Sequence, residues 1–299
     1  MYLTIKQQVK HLSKEDYKSI KELCHIAKNL SNQAIYNVRQ YYFNEGEYLN
    51  YEKNYALLKL SENYKMLNSN KKPTIVFALG GIEEIGKNMY IVEYDDELWI
   101  IDCGHKFGDE NELPGVNSVI CPFDYLVENQ NKIKGLIVTH AHEDHIGGIP
   151  YLLKTVKVPV IYGSLLVKNI LQRKLKEHPD AKIEKFVELQ DDLKVESKHF
   201  KIDFFRVCHS IPLCYGVCLQ TPNGNVVTCG DFRFDFSNKM EQTDIHKICE
   251  IAKRGVDLLL CETTNAEAQG FSTSEKYVLD EIRRQITKAP GRVFITTFS

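Results

Sequence analysis

The amino-acid sequence predicts a layered α/β protein with sheets in its core, preceded by a mainly helical amino-terminal segment. Three observations carry that expectation. The composition shifts near Asn70: residues 1–70 hold 9 of the 16 tyrosines and a single glycine, and the other 16 glycines follow. From Thr74 onward, short runs rich in β-branched and aromatic residues are separated by glycine turns. Apolar residues at helical spacing fall between some of these runs, the pattern of helices layered on sheets.

Each element has a local reason. Ser13 followed by Asp16 resembles a capping box with Asp in place of Glu, and Ile20, Leu23, Ala27, Leu30, Ala34 and Val38 then recur on one helical face until Gly46. The stretch 68–73 is polar and ends in proline, which marks a linker and separates a segment 1–70 from a domain 71–299. Within that domain the sequence predicts strands over 74–78, 89–94, 98–102, 135–139, 160–162, 200–207, 216–220, 225–228, 258–261 and 293–297. Helical spacing predicts helices over 149–155, 164–177, 244–252 and 274–286.

Of the 299 residues, 43% are hydrophobic and 26% charged, the balance of a folded globular chain rather than a disordered, collagen-like or coiled-coil one. The net charge of −2 gives no global positive field, so a protein that wraps polyanions is excluded and a nucleic acid would need a local basic patch or metal ions. Nine cysteines, odd in number and without C-x-x-C, form neither a disulfide framework nor a zinc ribbon, which points to a reducing compartment, the cytoplasm. No apolar run approaches the roughly 18 residues of a membrane span, so no membrane partner is expected.

The chemistry concentrates in Thr139-His140-Ala141-His142-Glu143-Asp144-His145, directly after an apolar run. Alternation along an extended chain points His140 and His142 the same way, and Asp144 and His145 follow in a turn. Three imidazoles and a carboxylate within six residues suit zinc or another divalent transition metal. One tetrahedral ion cannot use all four at this spacing without strain, which argues for two ions. His209 and Asp231 each follow a β-like run, where a sheet presents its loops. Other residues read more plainly. Gly80, Gly81 and Gly86 lack a following G-K-[ST] and make no phosphate loop, His105 and Cys229 are not ligands, and Arg173, Lys174 and Lys176 form a solvated helix face.

H-A-H-E-D-H-I-G-G (140–148) resembles the H-x-H-x-D-H signature of the metallo-β-lactamase fold. Within that superfamily, A-L-G-G-I-E-E-I-G-K-N-M-Y (78–90), I-D-C-G (101–104), H-S-I-P (209–212), T-C-G-D-F-R-F-D (228–235) and E-T-T-N (262–265) are similar to ribonuclease J of the β-CASP nucleases, from about residue 72 to the last residue. The resemblance implies the first part of an αββα sandwich, with two zinc ions as cofactors and RNA as partner. His140, His142 and His209 would hold one zinc, Asp144 and His145 the second, and Asp231 would bridge them. Asp102 would orient metal-site histidines, and Asp144, Asp231 and Glu262 would be the catalytic acids, with Glu262 standing where the family more often has Asp. The implied activity is 5′-3′ exonucleolytic and endonucleolytic RNA hydrolysis in RNA processing, ribosomal RNA included, and in decay.

Residues 1–70 instead resemble the amino terminus of transposon-encoded, OrfB-type RNA-guided nucleases. Set against ribonuclease J, the sequence is expected to lack the β-CASP insertion, the returning half of the hydrolase domain with the last ligand of the second zinc, and the dimerisation region. Apolar faces would then lack their second sheet, one zinc would bind well and the second weakly, and nuclease activity would be low. Two other readings stand beside this one: a hydrolase of the same fold acting on a small ester or thioester, and a non-catalytic fusion remnant.

Overall fold

The computed structural model describes residues 53, 54, 57, 72–82, 84–108, 114–237, 241–264, 266–270 and 272–296. The chain divides into two units, Met1–Pro73 and Thr74–Ser299. The helix expected between Ser13 and Gly46, and with it the segment resembling OrfB-type nucleases, lies outside the described residues.

In the second unit, β1 (Thr74–Gly80), β2 (Met89–Tyr94) and β3 (Glu97–Ile101) form an antiparallel meander that β6 (Ile133–Ile137), β7 (Ile161–Gly163) and β8 (Phe186–Glu188) extend in parallel. A second sheet has the order β13-β12-β11-β10-β9, built from β9 (Lys194–Glu196), β10 (Lys201–Val207), β11 (Cys214–Thr221), β12 (Gly224–Thr228) and β13 (Leu258–Leu260). A small ribbon pairs β4 (His105–Phe107) with β5 (Ser118–Ile120). The helices are α1 (Asp124–Glu128), α2 (Glu143–Ile146), α3 (Ile149–Thr155), α4 (Leu165–Lys174), α5 (Ile245–Lys253) and α6 (Glu275–Lys288).

The period-two alternation of strands sorts side chains into layers. Ile91, Leu98, Ile100 and Leu136 face Leu126, Leu152, Val167 and Leu171 of α1, α3 and α4. Their neighbours Val92, Trp99, Ile101 and Ile137 face the second sheet at Phe204, Tyr215, Val217 and Leu219. Phe205, Val207 and Val227 point the other way, against Ile248 and Ile251 of α5. The result is helix, sheet, sheet, helix.

Several expectations change. Residues 194–260 supply a second sheet, so the first sheet's inner face is covered; the exposed apolar residues include Leu258 and Leu259 on edge strand β13 and Leu279 and Ile282 on α6. The strand expected over 135–139 ends at Ile137, and Asp144 and His145 lie in the helix α2 rather than in a turn. Residues 293–296 form no strand, and 297 lies outside the described residues. The short strands β4, β5, β8 and β9 carry too few residues for alternation to show. The helices expected at Ser164, Asp244 and Ser274 begin one residue later, because each of these residues is the N-cap whose side chain accepts a backbone N–H of the first turn.

Candidate metal centre

Loops at the carboxyl ends of β3, β6, β10 and β12 meet at one end of the sandwich. They bring together two groups of potential metal donors: His140, His142, His209 and Asp231, and then Asp144, His145 and Asp231. In the first group His142 Nδ1 lies 3.0 Å from His140 Nε2 and 3.2 Å from His209 Nε2. Asp231 Oδ2 stands 3.9 Å from the former and 3.6 Å from the latter imidazole. In the second group His145 Nε2 is 3.5 Å from Asp144 Oδ2 and 3.4 Å from Asp231 Oδ1. Asp231 thus turns one carboxylate oxygen to each group. A third cluster, Asp95, Asp96 and His199, sits around the β2–β3 turn, where Lys198 already pairs with Asp96 at 3.0 Å.

The orientation of these imidazoles is fixed from behind. Asp102, buried just past β3, accepts the Thr139 N–H at Oδ1 (2.8 Å), and at Oδ2 the Thr139 hydroxyl and His145 Nδ1–H, both at 2.8 Å. The Thr139 hydroxyl, having donated its hydrogen, accepts from His140 Nδ1 at 3.1 Å. Both histidines therefore engage Nδ1 behind the site and turn Nε2 towards it.

Charge follows from burial. Burial holds His140 well below its ordinary value, aided by the neighbouring imidazoles, and lowers His142 as well. Burial brings His209 to about 4 despite Asp231. All three are neutral donors near pH 7. For His145, burial is outweighed by the charge and hydrogen bond of Asp102 and by Asp231, which raise it to about 10. Burial pushes Asp231 up, but the hydrogen bond and charge of His145 and the charges of His209 and His142 hold it below the usual carboxylate range.

These donors fit divalent metal. Nitrogens about 2.0–2.1 Å from one tetrahedral ion lie about 3.3 Å apart, close to the separations in the first group. Three neutral imidazoles that turn ring nitrogens toward one another beside a carboxylate are a donor set that a divalent cation would fill.

The description "Metallo-beta-lactamase superfamily" matches residues 83–247, more than half of the chain. The chain belongs to the metallo-β-lactamase superfamily. Among curated relatives of this superfamily, ribonuclease J of Mycoplasma pneumoniae is 56% identical over 229 residues, spanning 77% of this chain and 40% of the relative. Ribonuclease J of Thermus thermophilus is 41% identical over 234 residues, spanning 75% of this chain and 40% of that one. Ribonuclease J 1 of Streptococcus pyogenes is 39% identical over 236 residues (78% and 42%). The chain therefore spans about 40% of the length of the relatives it matches. A solved protein of unknown function from Enterococcus faecalis superposes with a TM-score of 0.53 at 18% identity, covering 72% of this chain and 57% of that one, a likeness of fold alone.

The second donor group opens into a cleft of about 940 Å³ lined by Asp144, His145, Asp231 and Glu262 among others. Glu262 belongs to neither donor group; its Oε1 accepts the Phe232 N–H at 3.1 Å and so holds the loop that carries Asp231. His105 is buried, with Nδ1 3.0 Å from the Ser118 hydroxyl, and joins neither group. Cys229 packs beside Phe232 and Ile248. Lys174 bonds Glu143 at 2.7 Å. Sequence reasoning gave no role to Thr139 or Asn88. Thr139 opens the histidine run and Asn88 closes G-K-N, but both act through partners distant in sequence.

Proposed function

We propose that residues 71–299 are a zinc-dependent ribonuclease domain of ribonuclease J type, acting on RNA in the cytoplasm, with His140, His142, His209 and Asp231 holding one ion and Asp144, His145 and Asp231 a second. The observation that carries this reading is Asp231 facing both groups with different oxygens, a donor arrangement for two adjacent ions. The relatives named ribonuclease J support RNA as substrate. No described helix is long and apolar enough to cross a membrane.

Ions held there supply electrostatic stabilisation to a phosphodiester as it passes through its pentacovalent state. The protein's own residues do the rest. Asp102 and Thr139 engage Nδ1 of His145 and His140, so that Nε2 of each faces the site. Asp144, whose carboxylate is one-third exposed at the cleft, orients the attacking water and accepts its proton at the oxygen turned away from His145. Glu262 fixes the Asp231 loop through Phe232.

The test is digestion of a 5′-monophosphorylated, end-labelled RNA by the whole chain, metal-free and after zinc or manganese is restored. Metal-dependent release of nucleotides or fragments is expected, abolished in His142→Ala. Hydrolysis of a thioester by metal-loaded protein that leaves RNA intact would reject this reading in favour of a small-molecule hydrolase.

A further inference from the structure

Asn88 stands beside the second donor group without being a donor in it. It grips Asp144 twice. Its main-chain N–H donates to the Asp144 carbonyl at 3.0 Å, and its carboxamide Nδ2 donates to Asp144 Oδ2 at 3.3 Å. The same Nδ2 lies 3.1 Å from His145 Nε2. Asn88 is itself held in place. Its carbonyl accepts the Gly104 N–H at 3.0 Å, and the Tyr90 hydroxyl donates to its Oδ1 at 3.5 Å. Gly81, with φ at 85°, approaches so closely that a Cβ there would lie 2.6 Å from Asn88 Oδ1. The β1–β2 loop is therefore shaped around this one carboxamide.

We propose that Asn88 is a positioning residue for the second ion: its carboxamide fixes the Asp144 carboxylate relative to His145 Nε2 and so sets the affinity of that group, without bearing on the first. The proposal rests on the two-ion reading above. Asp144 is one-third exposed on a short helix, and without a tether its carboxylate would lose rotamer freedom on every binding event. Asn88 imposes that restriction in advance, and the first group has no contact with it in its own hydrogen-bond set.

Metal-free whole chain is titrated with Co²⁺, following visible absorption and heat, for wild type, Asn88→Ala and Gly81→Ala. Two uptake events are expected for wild type. In both variants the first affinity stays within about twofold while the second falls about 10- to 100-fold, the usual loss when a partner of a metal ligand is removed. Gly81→Ala leaves Asn88 in the chain but displaces it, so it decides the matter if Asn88→Ala does not fold. A second affinity unchanged in the variants, or an equal loss of both, would overturn the role of Asn88 and leave the two-ion reading standing. Uptake of a single ion by wild type would instead remove both together.

Discussion

Asp102 occupies left-handed backbone, φ 59°, a conformation that costs a non-glycine residue about 1 kcal/mol. It persists because a buried carboxylate with two oxygens can accept from Thr139 twice and from His145 once. Asn tolerates the same backbone but has one acceptor, and its NH₂ would face a donor hydrogen. Asp102→Asn is therefore expected to keep the fold by circular dichroism and to weaken metal uptake by the Asp144–His145–Asp231 group about 10- to 100-fold, read by competition with a chromophoric chelator. Wild-type affinity in that variant would mean that the Thr139–His140 side alone orients the site. The donors themselves were legible because H-x-H-x-D-H concentrates them in six residues and because His209 and Asp231 follow strands. Thr139 and Asn88 were not legible, since a hydroxyl or carboxamide acquires its meaning only from the atom that folding places opposite it.

At the scale of elements, Glu97 ties the start of β3 to the β9–β10 turn. Its buried carboxylate accepts the Ser197 hydroxyl at 2.7 Å, the His199 N–H at 2.9 Å and the Lys198 N–H at 3.2 Å. Burial pushes this carboxyl up, but those hydrogen bonds and the Lys134 charge outweigh it, so its pKa lies below the ordinary glutamate value. The folded state then takes up the proton less readily than the unfolded state. The stability it contributes is complete above the unfolded pKa and is lost as pH falls through the folded one. Glu97→Gln is expected to cost about 1–3 kcal/mol at pH 7 and to flatten the fall in urea midpoint as pH drops below about 4.5, the ordinary glutamate value. An unchanged slope would place the acid sensitivity elsewhere. Long strands and capped helices were readable from sequence because alternation and N-cap chemistry are local. The strand before the H-x-H segment reads two residues too long in the sequence because Val138 still bonds Tyr162 (2.8 Å) and continues the extended chain after the strand has ended. β4, β5, β8 and β9, three residues each, exist only through their partners.

Across the whole molecule, the donor set joins the two sheets. His140, His142, Asp144 and His145 follow β6 of the first sheet, whereas His209 and Asp231 follow β10 and β12 of the second. An ion bound by the first group therefore links loops of both sheets, in addition to main-chain bonds such as Tyr215 N–H to the Thr139 carbonyl (2.9 Å) and the apolar layer between the sheets. Binding to the folded state alone stabilises it by about 2.7 kcal/mol when free metal is 100-fold above its Kd. For a unit the size of Thr74–Ser299, each kcal/mol moves Tm by about 2–4 °C, so chelation is expected to lower Tm by about 5–10 °C and restored zinc to recover it. His140→Ala, which removes a wholly buried donor of the first group, should abolish that recovery, whereas Asn88→Ala should retain most of it because the first group, which also spans both sheets, keeps all its donors. Differential scanning calorimetry of the three proteins, with and without chelator, separates these outcomes. A Tm indifferent to metal in the wild type would show that the apolar layer alone holds the sheets in register, and that the donor groups form on a scaffold already complete without them.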